Sequence, residues 1–225
     1  MRVARAFVWI GGGIFVAALA YCLWSYLVPF GVDRPWAGSA PVVWDAALVT
    51  IFALHHSVFA RERIKSRLTS MFGDEARSFY VWVASLLLMA MCGFWQHVGG
   101  AFRDHHGLLA WLDILVQLLG IRLIARSVST IDPLVLAGIR RLPPSETLQV
   151  TGPYRFVRHP LYLGWMLAVF GSPHMTGDRL TFAILTSIYL VIAIPWEEQS
   201  MRTAFGDAYA RYAAEVRWRV IPFIY

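Results

Sequence analysis

Residues 161–196 read LYLGWMLAVFGSPHMTGDRLTFAILTSIYLVIAIPW, an apolar tract that one short polar segment interrupts. The interruption at 171–179 contains Gly, Ser, Pro and Asp, and this composition indicates a turn between two helices. The arm before it, 161–170, is shorter than the roughly 20 apolar residues that a helix needs to cross a bilayer. The tract therefore predicts a tight helical hairpin within a membrane.

The rest of the chain is also apolar. Of its 225 residues, 58% are hydrophobic and 15% are charged, and the mean hydropathy is +0.54, which is far above that of a soluble domain. The first apolar segment has no small-residue cleavage site followed by soluble sequence, so we expect a permanent span rather than a removed signal peptide. The sequence predicts an all-α, polytopic membrane bundle of about five to six transmembrane helices, the last two forming a tight hairpin. The upstream apolar segments are 7–30, 42–60, 79–98 and 107–125.

The basic residues indicate an orientation in the membrane. The net charge is +6 and the pI is near 9.7, but the Lys and Arg side chains cluster beside the ends of the predicted spans. Lipid headgroups therefore explain the charge better than nucleic acid does. Of the 20 basic residues, 17 fall with the two termini and three on the opposite side, at Arg34, Arg103 and Arg179. We expect an integral protein of the bacterial inner membrane with both termini in the cytoplasm, and we interpret 61–77 as a loop facing headgroups.

The segment GPYRFVRHPLYLG at 152–164 places polar side chains where the hairpin begins. Pro160 sets φ for the first turn of a helix, and the free N–H groups of a helix start attract anions. Arg158 and His159 therefore form a candidate site for a carboxylate. The alternative is that Arg158 extends to phosphate headgroups and His159 caps the helix.

Two adjacent acids, Glu197 and Glu198, follow the second arm of the hairpin. Carboxylates at the end of an apolar span are costly unless each finds a partner or water. Arg202 is four residues after Glu198 and is a candidate partner. The following residues predict an amphipathic helix, with Phe205, Tyr209, Tyr212 and Val216 on one stripe and Asp207, Arg211 and Glu215 on another.

Other motifs indicate packing more than chemistry. Gly11, Gly12 and Gly13 lie inside an apolar segment and favour close helix packing rather than a phosphate loop. Cys22 and Cys92 have no metal or disulfide spacing, so we interpret both as packing residues.

His55 and His56 are candidates for a proton acceptor, a substrate contact, or a haem or metal ligand. Adjacent helical residues point about 100° apart, so the pair cannot grip one metal, and we favour a pocket for an acceptor molecule.

Together these residues resemble the isoprenylcysteine carboxyl methyltransferase superfamily of integral membrane enzymes. Its pattern G-P-Y-x-x-x-R-H-P-x-Y-x-G corresponds to 152–164, and its later E-E and F-G-x-x-Y-x-x-Y correspond to Glu197, Glu198, Phe205, Gly206, Tyr209 and Tyr212. Upstream, HSVFAR at 56–61 and RSFYV at 77–81 look like segments of bacterial methanethiol S-methyltransferases and of nitrite and nitric oxide reductase-associated membrane proteins.

The resemblance implies S-adenosylmethionine as the cofactor, bound between the hairpin and the C-terminal helix. Arg158 and the helix start would suit its carboxylate, the two glutamates its ammonium and ribose, and Tyr154 or Tyr162 its adenine. Arg202 and His56 are candidate catalytic residues, by location only. The predicted cofactor-binding residues are Tyr154, Arg158, His159, Pro160, Tyr162, Gly164, Glu197 and Glu198.

The resemblance also implies a small or lipidic methyl acceptor that enters from the bilayer, and no metal. Our first choice is a small hydrophobic thiol of the methanethiol type. The alternatives are carboxyl methylation of isoprenylcysteine, N-methylation of a phospholipid, a non-catalytic membrane accessory protein, and a haem carrier that uses His55 or His56 with His97. We expect one domain over 1–225, with the acceptor side in 1–150 and the cofactor side in 151–225.

Overall fold

The computed structural model describes residues 2–59, 62–129, 132–140 and 147–225. Within these ranges, five helices are long and apolar enough to cross a membrane, namely those at Arg2–Leu27, Ala40–Phe59, Ala76–Gly93, Gly107–Val128 and Gly177–Phe205. The prediction of an all-α, polytopic membrane protein is confirmed. The elements are α1 (Arg2–Leu27), α2 (Ala40–Phe59), α3 (Glu62–Phe72), α4 (Ala76–Gly93), β1 (Ala101–Asp104), α5 (Gly107–Val128), α6 (Pro133–Leu136), α7 (Pro160–Phe170), β2 (His174–Thr176), α8 (Gly177–Phe205) and α9 (Asp207–Glu215).

The described residues divide into two compact units. The first comprises the residues up to 100 together with 132–140, and the second comprises 101–129 together with 147–225. In the first unit α4 packs against α1, α2 and α3. The short helix α6 joins this unit because Ser78 Oγ donates to Gly138 O at 2.5 Å and Arg77 Nε donates to Val135 O at 2.7 Å.

The contact between α1 and α4 depends on small and aromatic residues. The Trp82 indole stacks on Phe7, donates to its carbonyl at 3.0 Å, and occupies the space where a Cβ on Gly11 would lie. Nothing lies within 4 Å of a Cβ built on Gly13, so the three consecutive glycines are not equivalent. Cys22 and Cys92 are both buried and are not disulfide-bonded. Both are packing residues, as expected.

In the second unit α5 and α7 approach each other through glycines. A Cβ on Gly164 would lie 2.9 Å from the Gly120 carbonyl oxygen, and a Cβ on Gly120 would lie 2.6 Å from the Gly164 carbonyl oxygen. Gln117 Nε2 also donates to Ala168 O at 2.9 Å across this contact. Because backbone atoms face backbone atoms here, no larger side chain fits at either glycine.

The hairpin does not consist of two full spans. Helix α7 has 11 residues, about 16 Å of rise, and the chain then runs as strand β2, paired antiparallel with β1. Arg103 Nη2 donates to the carbonyls of Phe170 and Ser172 at 2.7 and 2.6 Å, and Arg179 Nη1 donates to that of His174 at 2.7 Å. These bonds satisfy carbonyls that would be costly in lipid.

Two boundaries differ from the prediction. The turn was expected to continue to Arg179, but α8 begins at Gly177, where Thr176 Oγ1 accepts a hydrogen bond from Arg179 N at 3.2 Å. Helix α8 also continues to Phe205, so Glu197 and Glu198 lie inside it rather than after it. The helix does not stop where the apolar run stops, because residues 197–205 contain good helix formers and Gly206 follows them.

The polar segments also form helices. The prediction of a loop at 61–77 is wrong over most of its length, since α3 covers Glu62–Phe72, while Ala60 and Arg61 lie outside the described residues. The predicted stripe on α9 is confirmed: Tyr209, Tyr212 and Val216 are buried and pack against Leu148, Tyr154, Phe205 and Ala213.

Candidate active site

Arg158 and Glu198 form a buried ion pair where α7 meets α8. Arg158 Nε donates to Glu198 Oε1 at 2.7 Å, and the two side chains are only 8% and 4% exposed. Arg158 Nη1 also donates to the carbonyls of Val216 at 2.7 Å and Arg217 at 2.9 Å. The alternative that Arg158 extends to headgroups is therefore wrong, because its guanidinium turns inward.

The segment after α9 completes this arrangement. The backbone N–H groups of Arg158 and His159 donate to the carbonyls of Trp218 and Arg219 at 2.9 and 2.7 Å. Arg219 Nε lies 3.4 Å from Glu198 Oε2, so each oxygen of this carboxylate faces a guanidinium. Arg219 was not among the predicted residues, and no local spacing relates it to Glu198. Arg202, which the sequence suggested as a partner of Glu198, instead lies over the Tyr209 ring, with its Cζ 5.7 Å from the ring centroid.

Glu197 is the more open of the two carboxylates. The Tyr162 hydroxyl donates to its Oε1, and His159 Nδ1 lies 3.6 Å from its Oε2. The His159 ring stacks on that of Tyr162 with centroids 5.2 Å apart. The Glu197 side chain is nevertheless 42% exposed, against 4% for Glu198. Glu197 is thus oriented by its neighbours while remaining accessible to an external donor or cation.

Burial lowers the pKa of His159 from 6.5 to about 4, although the adjacent Glu198 carboxylate acts in the opposite direction. His159 Nε2 lies 3.5 Å from Glu198 Oε1 and its Nδ1 lies 3.6 Å from Glu197 Oε2, so each ring nitrogen faces a carboxylate. His159 is the N-cap residue of α7, as that alternative has it, but its side chain makes no capping hydrogen bond.

The depressed pKa of His159 predicts a loss of stability in acid. Because the unfolded chain takes up a proton near pH 6.5 and the folded ring only near 4, the stabilising effect is complete above about 6.5 and is lost as the pH falls towards 4. We expect the thermal midpoint of detergent-purified protein to fall in this window by about 5 °C more than that of His159→Gln. His106→Gln, at a histidine side chain that is 83% exposed, is the control and should follow the wild type. Equal slopes for wild type and His159→Gln would contradict the assignment.

The remaining predicted residues, Tyr154, Pro160 and Gly164, lie in packing contacts around the site. Tyr154 packs in the α9 cluster, its carbonyl accepts from Tyr212 Oη at 2.8 Å, and burial raises the pKa of its hydroxyl. Pro160 is buried in the first turn of α7, and Gly164 faces α5. These last two therefore set helix position instead of offering polar groups. The residues that the structure brings together are Arg158, His159, Tyr162, Glu197 and Glu198, with Arg219 in addition.

The other predicted catalytic residue, His56, lies in the first unit. Its Nδ1 is 2.6 Å from the Tyr80 hydroxyl, and its ring stacks on Phe52. In the part of the chain that the structure describes, no group of three or more His, Cys, Asp or Glu side chains is arranged to hold a metal ion.

Comparison with known proteins agrees with this site. Residues 114–208 match the family model described as phospholipid methyltransferase, a region that contains α7, most of α5 and both glutamates. Methanethiol S-methyltransferase 2 of Bradyrhizobium diazoefficiens is 32% identical over 214 residues, which cover 90% of this chain and 82% of that protein. Methanethiol S-methyltransferase of Crocosphaera subtropica is 35% identical over 191 residues, covering 80% and 74%. The chain belongs to the methanethiol S-methyltransferase family.

Family membership confirms the resemblance drawn from the sequence motifs. A third relative, methanethiol S-methyltransferase of Mycobacterium tuberculosis, is 32% identical over 221 residues, covering 90% of this chain and 89% of that protein. This member of the methanethiol S-methyltransferase family is therefore an integral membrane methyltransferase that uses a methyl donor. No solved structure matches the chain.

Proposed function

We propose that this protein methylates a small apolar thiol at the membrane with S-adenosylmethionine as donor. The observation that carries the proposal is the partly exposed Glu197 carboxylate, which the Tyr162 hydroxyl and the His159 ring orient. An accessible carboxylate suits a ligand with N–H and O–H donors. The names of the relatives supply the reaction type and the thiol.

The residues present fit this donor. Glu197 would accept hydrogen bonds from its ammonium or ribose hydroxyls. The rings of Tyr162 and Tyr154 offer apolar faces for adenine. When bound, S-adenosylmethionine supplies a methyl group on a positively charged sulfur, so the protein contributes mainly positioning and the exclusion of water.

Arg158 has a different role here from the one that the sequence suggested. Its Nε and Nη1 are committed to Glu198 and to two backbone carbonyls. We propose that Arg158 and Glu198 hold the C-terminal segment against α7 and α8, and that Glu197 is the glutamate that contacts the donor. Pro160 and Gly164 would act indirectly, by fixing the start of α7 and its distance from α5.

The acceptor and the catalytic residues remain proposals. A thiol reacts as its thiolate, so a nearby base or positive field helps by lowering its pKa. Arg202 and His56 are the predicted candidates for this role. A phospholipid amine, which the description of the family model brings forward, is the second candidate acceptor. We further propose that both termini face the cytoplasm of a bacterial inner membrane, with the donor bound by residues 151–225.

Calorimetric titration with S-adenosylmethionine and S-adenosylhomocysteine tests the donor site. We expect saturable binding to detergent-purified wild type and about tenfold weaker binding to Glu197→Gln, which removes one charged hydrogen-bond acceptor. Glu215→Gln, an exposed glutamate on α9, is the matched control and should bind as the wild type does. Failure of folded wild type to bind either compound would refute the donor.

A competition assay then separates the acceptors. Protein in vesicles that contain phosphatidylethanolamine is given methyl-labelled donor together with methanethiol, and the label is followed into volatile sulfide and into lipid. We expect the label in dimethyl sulfide. Label in the lipid alone would replace the thiol with a phospholipid amine.

A further inference from the structure

His55 has an unusual environment for a buried polar residue. Its side chain is 8% exposed, and its ring lies between two aromatic rings. The centroid distances are 4.3 Å to Phe59 and 5.4 Å to Tyr80, and the Tyr80 ring is nearly parallel at 16°. All three residues belong to the first unit, on α2 and α4. We call these three side chains the His55 cluster.

One ring nitrogen of His55 determines what the cluster can bind. His55 Nε2 is buried and has no hydrogen-bond partner.

A neutral imidazole carries its proton on one ring nitrogen and is an acceptor at the other. With the proton on Nδ1, His55 Nε2 presents a lone pair inside an apolar, aromatic environment. Leaving such a group without a partner costs free energy, so a ligand that donates a hydrogen bond there gains affinity.

We propose that the His55 cluster is the binding site for the acceptor thiol, and that His55 Nε2 accepts its S–H hydrogen. This inference rests on the proposed function for the identity of the ligand. Aromatic rings are favourable neighbours for a polarizable sulfur atom, and a small alkyl thiol has little else to recognise. His55, rather than the predicted His56, then contacts the substrate, because His56 Nδ1 is engaged by the Tyr80 hydroxyl.

The same geometry provides a route to the reactive thiolate. The S–H bond breaks, its proton forms a bond to His55 Nε2, and the electron pair stays on sulfur. The products are a thiolate and an imidazolium, so charge and atoms balance.

Direct ligand binding tests the proposal without any methyl donor in the sample. Saturation-transfer NMR on detergent-purified protein compares ethanethiol with ethyl methyl sulfide, which resembles it but lacks the S–H group. We expect the wild type to bind the thiol about tenfold more tightly than the sulfide. His55→Phe keeps an aromatic ring in place and should bind both compounds equally. His106→Gln, an exposed histidine outside the cluster, should retain the wild-type preference.

The outcomes are separable. If the wild type does not prefer the thiol, or if His55→Phe keeps the preference, the proposal is overturned. If His55→Phe fails to fold, as judged by circular dichroism and gel filtration, the comparison of the two ligands on wild type still decides. Because no S-adenosylmethionine is present, a failure of donor binding in the calorimetric titration does not alter this result, and the two proposals fail independently.

Discussion

Arg158→Leu is expected to lower the thermal midpoint by about 10 °C or to prevent folding. The substitution leaves the Glu198 side chain, 4% exposed, without its nearest cation, and leaves the carbonyls of Val216 and Arg217 without their donor. Removing one partner of a buried ion pair costs about 3–5 kcal/mol, and each kcal/mol corresponds to about 2–4 °C in a protein of this size. Differential scanning fluorimetry in detergent measures the effect.

The control for this prediction lies in the same turn. Arg155 is exposed, so Arg155→Leu removes an equal charge without breaking a buried pair and should shift the midpoint by less than about 2 °C. The double variant Arg158→Met with Glu198→Leu should be more stable than Arg158→Leu alone, because it leaves neither charge of the pair unpaired. Equal midpoints for the two leucine variants at Arg155 and Arg158 would contradict the buried pair.

Gly120→Ala is expected to destabilise the protein by about 3 kcal/mol, although it adds a single methyl group. The added carbon would lie 2.5 Å from Ala168 N and 2.6 Å from Gly164 O, and these are backbone atoms that cannot rotate away. Helices α5 and α7 must therefore separate, which moves the start of α7 and the residues around His159. Thermal midpoint and donor affinity should both fall.

Gly13→Ala is the matched control, since it makes the same change in an apolar helix where nothing lies within 4 Å of the new carbon. Alanine favours a helix over glycine by about 1 kcal/mol, so this variant should be as stable as the wild type or slightly more stable. A Gly120→Ala protein that melts like Gly13→Ala would show that α5 and α7 are not in backbone contact.

Local patterns predicted most of the helices correctly. A span requires a continuous apolar run, and such a run is visible in a single sequence, so the five long helices were expected in nearly the right places. The ends were less accurate because hydropathy marks the limits of the apolar core and not of the helix. Helix α8 continues past Trp196, and the charged residues 62–72 form α3.

The residues of the site were also predicted only in part, because sequence patterns report local spacing and not tertiary contacts. Motif spacing singled out Arg158, His159, Tyr162, Glu197 and Glu198, and these side chains do meet. Motif spacing could not show which of these side chains already form hydrogen bonds or ion pairs with other parts of the chain. The Arg219 contact with Glu198 and the carbonyls of 216–219 follow from tertiary structure, since no helical or strand period relates residues so far apart in the chain.

The contacts of Arg158 and Glu198 with residues 216–219 bear on the order in which the protein inserts into the membrane and folds. All five long helices lie before residue 206, so their apolar segments can insert into the membrane before residues 216–219 dock on Arg158 and Glu198. Until then Arg158 lacks its backbone acceptors and Glu198 lacks its second guanidinium. A chain at this stage would be fully inserted and yet lack the assembled contacts around Arg158 and Glu198, so the docking of residues 216–219 is a folding step separate from membrane insertion.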